Sequence, residues 1–138
     1  MHYTLEVCVD STASALAAKR GGADRLELCA DLIIGGTTPS PALLRQVKAE
    51  TGLPVRALLR PRFGDFCYDR YELAQMAECA AELVAAGADG LSVINSIQGM
   101  AIDVHTRKSR VAKPKGGLSG PLCHHIAVRM VWEVAQAV

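Results

Sequence analysis

The hydrophobic period of this chain switches several times between two residues and about 3.6 residues, and that switch limits its possible folds most severely. Residues 4–9 (TLEVCV) alternate, with Leu5, Val7 and Val9 on one face and Thr4, Glu6 and Cys8 on the other. Asp10, Ser11 and Thr12 are helix N-cap types, residues 13–20 are helix formers, and Gly21–Gly22 end the run. Residues 25–29 (RLELC) alternate again, and 30–40 read as a loop from their Gly, Thr and Pro content. Ser40–Pro41 form an N-cap and first helical position for a helix over 41–50, which Gly52 stops. A third strand follows at 54–60, a loop over 61–69, a helix over 70–86 and a fourth strand at 89–94. Residues 95–123 form a long connection, and 124–137 a closing helix with Ile126, Met130, Val131 and Val134 on one stripe.

Strands that alternate with helices predict a parallel sheet with right-handed crossovers. Buried parallel strands are normally apolar on both faces. Here Glu6, Glu27, Arg56 and Arg60 fall opposite the leucines and valines. Helices packed over those charges would strip them of water at considerable cost, whereas a barrel lumen lets them pair. The predicted fold is therefore a single α/β domain over residues 1–138, a (βα)4 half of a TIM barrel. A complete (βα)8 barrel needs at least about 200 residues, and this chain has 138. Two copies can close an eight-stranded barrel, strand 1 of each pairing with strand 4 of the other, so a homodimer is expected. The alternative is an open flavodoxin-like parallel sheet with helices on both faces.

The net charge of +1 gives no electrostatic case for nucleic acid or an anionic membrane. No apolar run reaches the roughly 18 residues of a span, and the first residues enter a strand pattern at once, so no signal peptide is expected. Five cysteines at irregular spacing, with no CxxC, argue against a disulfide framework and for the cytoplasm.

Four segments carry a resemblance: EVCVDS at 6–11, GGADRLELC at 21–29, GGTTPS at 35–40 and LRPRFGDFCY at 59–68. From about residue 5 to 78 the chain resembles the CutC family, named for copper homeostasis. The resemblance implies barrel units and makes Cys8 and Cys29 candidate copper ligands. One departure is Phe63, where that family usually has a second glycine. A second set comprises LVAAGADGLSVINS at 83–96, GMAIDVHTR at 99–107, GGLSGP at 116–121 and IAVRMVWEVAQAV at 126–138. This set is similar to class 1 dihydroorotate dehydrogenase, departing from it at His124–His125. That likeness places Asn95 against substrate and the glycine-rich loop beside FMN. Two parents, divided near residue 80, imply an engineered chimeric half-barrel scaffold with no evolved catalytic activity and no cofactor. The alternatives are a copper-ion binding protein of CutC type and an FMN-binding dehydrogenase-like remnant.

Two constellations bear chemistry. Cys8 and Cys29 lie near the C-terminal ends of neighbouring strands on the inward face, where strands are about 4.8 Å apart. Paired thiolates suit soft Cu(I), while the plainer reading is two small buried apolar side chains. The loop containing Gly117, Ser119 and Gly120 leads into a helix N-terminus, the right physics for a phosphate, and it is the dehydrogenase likeness that implies a flavin there and a role for Asn95. The plainer reading there is a loop without a ligand. Asp10, Asp31, Asp65, Arg60 and Arg62 fall at the expected catalytic rim. His105, His124 and His125 lie in or beside the long connection. No catalytic residue is assigned.

Overall fold

The computed structural model describes residues 3–60 and 70–138, the side chains of 70 and 71 excepted. The elements in chain order are β1 (Glu6–Val9), α1 (Thr12–Arg20), β2 (Arg25–Leu28), α2 (Pro41–Thr51), β3 (Val55–Leu58), α3 (Arg70–Ala85), β4 (Gly90–Ser92), β5 (Ile97–Gly99), β6 (Gly116–Leu118) and α4 (His124–Ala135). Single 3-10 turns lie at Leu32–Ile34 and Pro121–Cys123.

Strands β1 to β4 form one parallel sheet in the order 1-2-3-4. A sequential order with crossovers of one hand puts every helix on the same side. The core agrees: Val9, Leu26, Leu28, Val55, Ala57 and Leu59 are buried together with Ala15, Leu44, Val47, Met76, Ala80, Leu83, Met130 and Val134 from the four helices. Neighbouring helices pack α1 on α2, α2 on α3 and α3 on α4. The flavodoxin-like alternative needs a different strand order and helices on two faces, so the sequential sheet departs from it.

Helix ends follow their local chemistry. Ser11 caps α1, its Oγ accepting from Ser14 N at 3.2 Å while Ser14 Oγ accepts from Ser11 N at 3.1 Å. That reciprocal box uses serine where glutamate is commoner. Ser40 Oγ accepts from Leu43 N to cap α2, with Pro41 at the first position. Gly52 ends α2 in the left-handed region at φ 65°, where a side chain would be strained.

The other sheet face carries the charges. In register, Glu6 faces Arg25, Cys8 faces Glu27, and Glu27 faces Arg56. Glu6 Oε2 accepts from Arg25 Nε and lies 3.8 Å from Arg56 Nε, so one carboxylate ties three strands together. Gly90 on β4 leaves space for the Arg56 stem, since a Cβ there would lie 3.4 Å from Arg56 Cγ. These side chains remain half-exposed: Glu6 29%, Arg56 46%.

The connection over 95–123 is more ordered than its composition suggests. β5 and β6 pair antiparallel, Gln98 opposite Gly117, and an isolated bridge joins Ile102 to Ser109. At the tip, Asp103 Oδ1 accepts from Thr106 N at 2.8 Å and His105 N at 2.9 Å. In α4 the expected stripe is half right. Met130 and Val134 are buried, whereas Ile126 and Val131 face solvent.

Candidate functional site

The candidate site lies on the charged face at the C-terminal ends of β1 to β4, the end where ligands sit in open and closed parallel α/β sheets alike. A cavity of about 440 Å³ opens there, lined by Cys8, Glu27, Cys29, Gly36, Arg56 and Asn95 among others. Cys8 is the third residue of β1 and Cys29 the first after β2. Alternation turns both toward this face, and their Sγ atoms are 3.9 Å apart. Cys29 is buried and its Sγ donates to Val9 O at 3.5 Å, while Cys8 keeps an exposed edge.

Burial pushes the Cys29 thiol up to about 12, and the neighbouring Cys8 sulfur adds to the effect. Desolvation also raises Cys8, helped by the Glu27 carboxylate. Both therefore carry their protons at neutral pH.

Gly36 makes room for the pair. Its φ is +83°, and an added Cβ would lie 3.0 Å from Leu58 Cδ2, 3.4 Å from Cys29 Cβ and 3.5 Å from Cys29 Sγ. The loop holding it is fixed by Arg60, a buried side chain whose Nη1 donates to Gly35 O at 3.0 Å and Gly36 O at 3.1 Å. Arg60 N in turn donates to Thr38 Oγ1 at 2.7 Å. Arg60 thus belongs to the loop scaffold, a role that its spacing on β3 does not reveal.

Of the other residues singled out in the sequence, Asp10 accepts from Ser14 Oγ at 3.4 Å beside the α1 cap. Asp31 accepts from Thr37 Oγ1 at 3.0 Å and closes its own loop. Asn95 and Gly117 meet at a second, smaller cavity, but Ser119 and Gly120 do not line it. Ser119 is exposed, and Gly120 precedes a single 3-10 turn. His124 and His125 pack edge to face with ring centroids 5.5 Å apart. Asp65, Arg62, Phe63 and Cys67 lie outside the described residues. Among the described residues, no group of three or more His, Cys, Asp or Glu side chains converges as a metal site, and no helix is long and apolar enough to cross a membrane.

The CutC family model matches residues 3–138. The chain belongs to the CutC family. Among similar proteins, the human copper homeostasis protein cutC homolog is 49% identical over 89 residues, 64% of this chain and 33% of that protein. The CutC family protein of Caulobacter vibrioides is 40% identical over 112 residues, 81% of this chain and 45% of its own length. The CutC crystal structure from Streptococcus agalactiae superposes with a TM-score of 0.57 at 31% identity, covering 64% of this chain and 44% of that one. The chain thus spans less than half the length of the curated relatives it matches.

These findings correct the sequence reading. The CutC match runs straight through residues 78–83, where a change of parent is expected from the local motifs. The chain is a natural CutC-family protein, and the engineered, inactive scaffold is overturned. The dihydroorotate dehydrogenase fragment goes with it, and so does the basis for FMN beside Asn95, Gly117, Ser119 and Gly120. Two of the four segments that suggested it contain glycine-rich turns, AGADG between α3 and β4 and GGLSGP between β6 and α4. Short loops of that kind meet the same backbone demands in any βα repeat, so likeness there is weak evidence of descent.

Proposed function

We propose that this chain binds Cu(I) through Cys8 and Cys29. The observation that carries the reading is the 3.9 Å separation of the two sulfurs at the rim of an open cavity. Metal–sulfur bonds near 2.3 Å let one ion bridge sulfurs up to about 4.6 Å apart. Two thiolates satisfy a soft monovalent ion, whereas structural zinc takes four ligands. The relatives' names, which refer to copper homeostasis, point the same way. Titration of the protein against a cuprous chelate should withdraw one equivalent of Cu(I) from the chelate, and Cys29→Ser should not. Identical curves for the two proteins would remove the reading.

We further propose that the sheet is half of a (βα)8 barrel closed by a second copy. The support is physical. β1 and β4 are the edges of the sheet, open edges favour pairing, and the Glu6–Arg25–Arg56 strip is only half-screened from water. The expected species in sedimentation equilibrium is a dimer of the 14.7 kDa chain; a monomer throughout the micromolar range would end the proposal.

A further inference from the structure

Helix α4 is apolar around more of its circumference than the fold of one chain uses. Met130 and Val134 are buried, and α4 packs on α3. At about 3.6 residues per turn, Val128, Val131, Trp132 and Ala135 form a second stripe beside that buried face, at the i, i+3, i+4, i+7 spacing of a packed helix. Yet the whole stripe is exposed, Trp132 by 59%. Arg129 and Glu133, an ion pair one turn apart with Nε and Oε1 separated by 3.5 Å, mark the side of α4 that belongs to water.

Topology says where the bare stripe points. In a strand–helix repeat, each crossover helix packs over the groove between its own strand and the next. α4 follows β4, and β4 is an edge of the sheet, so only one side of α4 has a strand beneath it. With right-handed crossovers and a helix running antiparallel to its strand, the turn from Met130 and Val134 round to Val131 and Trp132 leads away from α3. The stripe therefore overhangs the open edge. The opposite edge is bare in the matching layer. Leu5, just before β1, shares the helix side of the sheet with Val7 and Val9. Val9 is buried in the core, whereas Leu5 is 50% exposed. Leu5 stands at the N-terminal end of its strand, the level that the later turns of an antiparallel helix reach, where Trp132 and Ala135 sit.

We propose that α4 of one copy lies over β1 of a second copy, with Val128, Val131 and Trp132 covering Leu5 and Val7 of the partner subunit. Two-fold symmetry forms the same contact again in reverse. The inference rests on the barrel closure proposed above and adds a helix layer to it. Pairing of β4 with β1 satisfies backbone groups at the edges but leaves the stripe wet unless α4 covers the junction. Contiguous exposed apolar surface marks association sites, and aromatic side chains are enriched at the centre of such contacts.

Trp132 is the only tryptophan of the chain, so its fluorescence reads this contact directly. Wild type is diluted through the dimer dissociation constant obtained from sedimentation equilibrium, and Trp132 emission should move to longer wavelength over the same concentration range. Val131→Glu and Val128→Glu, exposed changes whose folds are checked by circular dichroism, should each raise the dissociation constant roughly tenfold or more, since dimerisation would bury an unpaired carboxylate. Arg129→Gln, on the solvent side, should leave it within about twofold. A wild-type dimer with a constant unchanged in both glutamate variants, or with Trp132 emission indifferent to dilution, would overturn the inference and leave barrel closure through the strand edges standing. A wild type that stays monomeric would remove both.

Discussion

Lys48 Nζ donates to Asp89 Oδ2 at 2.6 Å, and the same carboxylate oxygen accepts from Val55 N at 2.7 Å. Lys48 also donates to Gly87 O at 2.5 Å. One exposed pair thus fastens the C-terminal end of α2, the start of β3 and the turn into β4. The Lys48 hydrogen bond and the Val55 amide hold the Asp89 carboxyl below its ordinary value of 3.8. A depressed folded-state pKa contributes stability that is present above the unfolded value and lost as pH falls below it. Denaturation should show stability declining below about pH 4, with a shallower decline in Asp89→Asn. Since the Asp89 side chain is 44% exposed, the loss at neutral pH should stay within about 1 kcal/mol.

The two cysteines titrate in the opposite sense. Both thiols are raised, Cys29 to about 12. Their contribution to stability is full below the unfolded value of 9.0 and disappears as pH rises through the folded one. Wild type should therefore lose stability above about pH 9 more steeply than Cys29→Ser. Cu(I) must displace the protons, so its apparent affinity should climb with pH, by up to about a hundredfold per unit between pH 6 and 8 if two protons leave. Competition titrations at several pH values measure the slope; a flat profile would mean that the thiols do not bind the ion.

Gly36 sets how closely the loop after β2 approaches the sulfurs. In Gly36→Ala the new methyl meets Leu58 and Cys29, at a φ that L-residues seldom adopt. Strain of this kind costs about 1–3 kcal/mol. The variant should unfold at lower urea and bind Cu(I) more weakly, both readable on one preparation.

Leu28 is fully buried at the centre of the core. Leu28→Ala should cost about 2–5 kcal/mol, the usual range for emptying such a site. Urea denaturation checks the value, and a loss under 1 kcal/mol would place Leu28 outside the cooperative core.

Sequence periodicity located the four strand–helix units, because alternation in TLEVCV and RLELC and the caps at Ser11 and Ser40 are local signals. The same alternation turned Cys8 and Cys29 to one face. The β5–β6 hairpin was not legible. Its strands are three residues long, GGL shows no period of two, and the pairing partners are separated by a 16-residue excursion between Gly99 and Gly116. The roles of Arg60 and Lys48 were hidden for another reason. Each reaches a backbone carbonyl more than twenty residues away in sequence, Arg60 to Gly35 and Lys48 to Gly87, and long-range contacts of this kind leave no periodic trace.

A sheet whose strands run in chain order has two ends that evolve under different rules. The end fastened by Lys48 and Asp89 touches neither cavity, so changes there are felt as folding yield. The opposite end carries both cavities on turns that follow separate strands. Ligand preference can therefore drift one turn at a time while the buried leucines and valines beneath stay as they are.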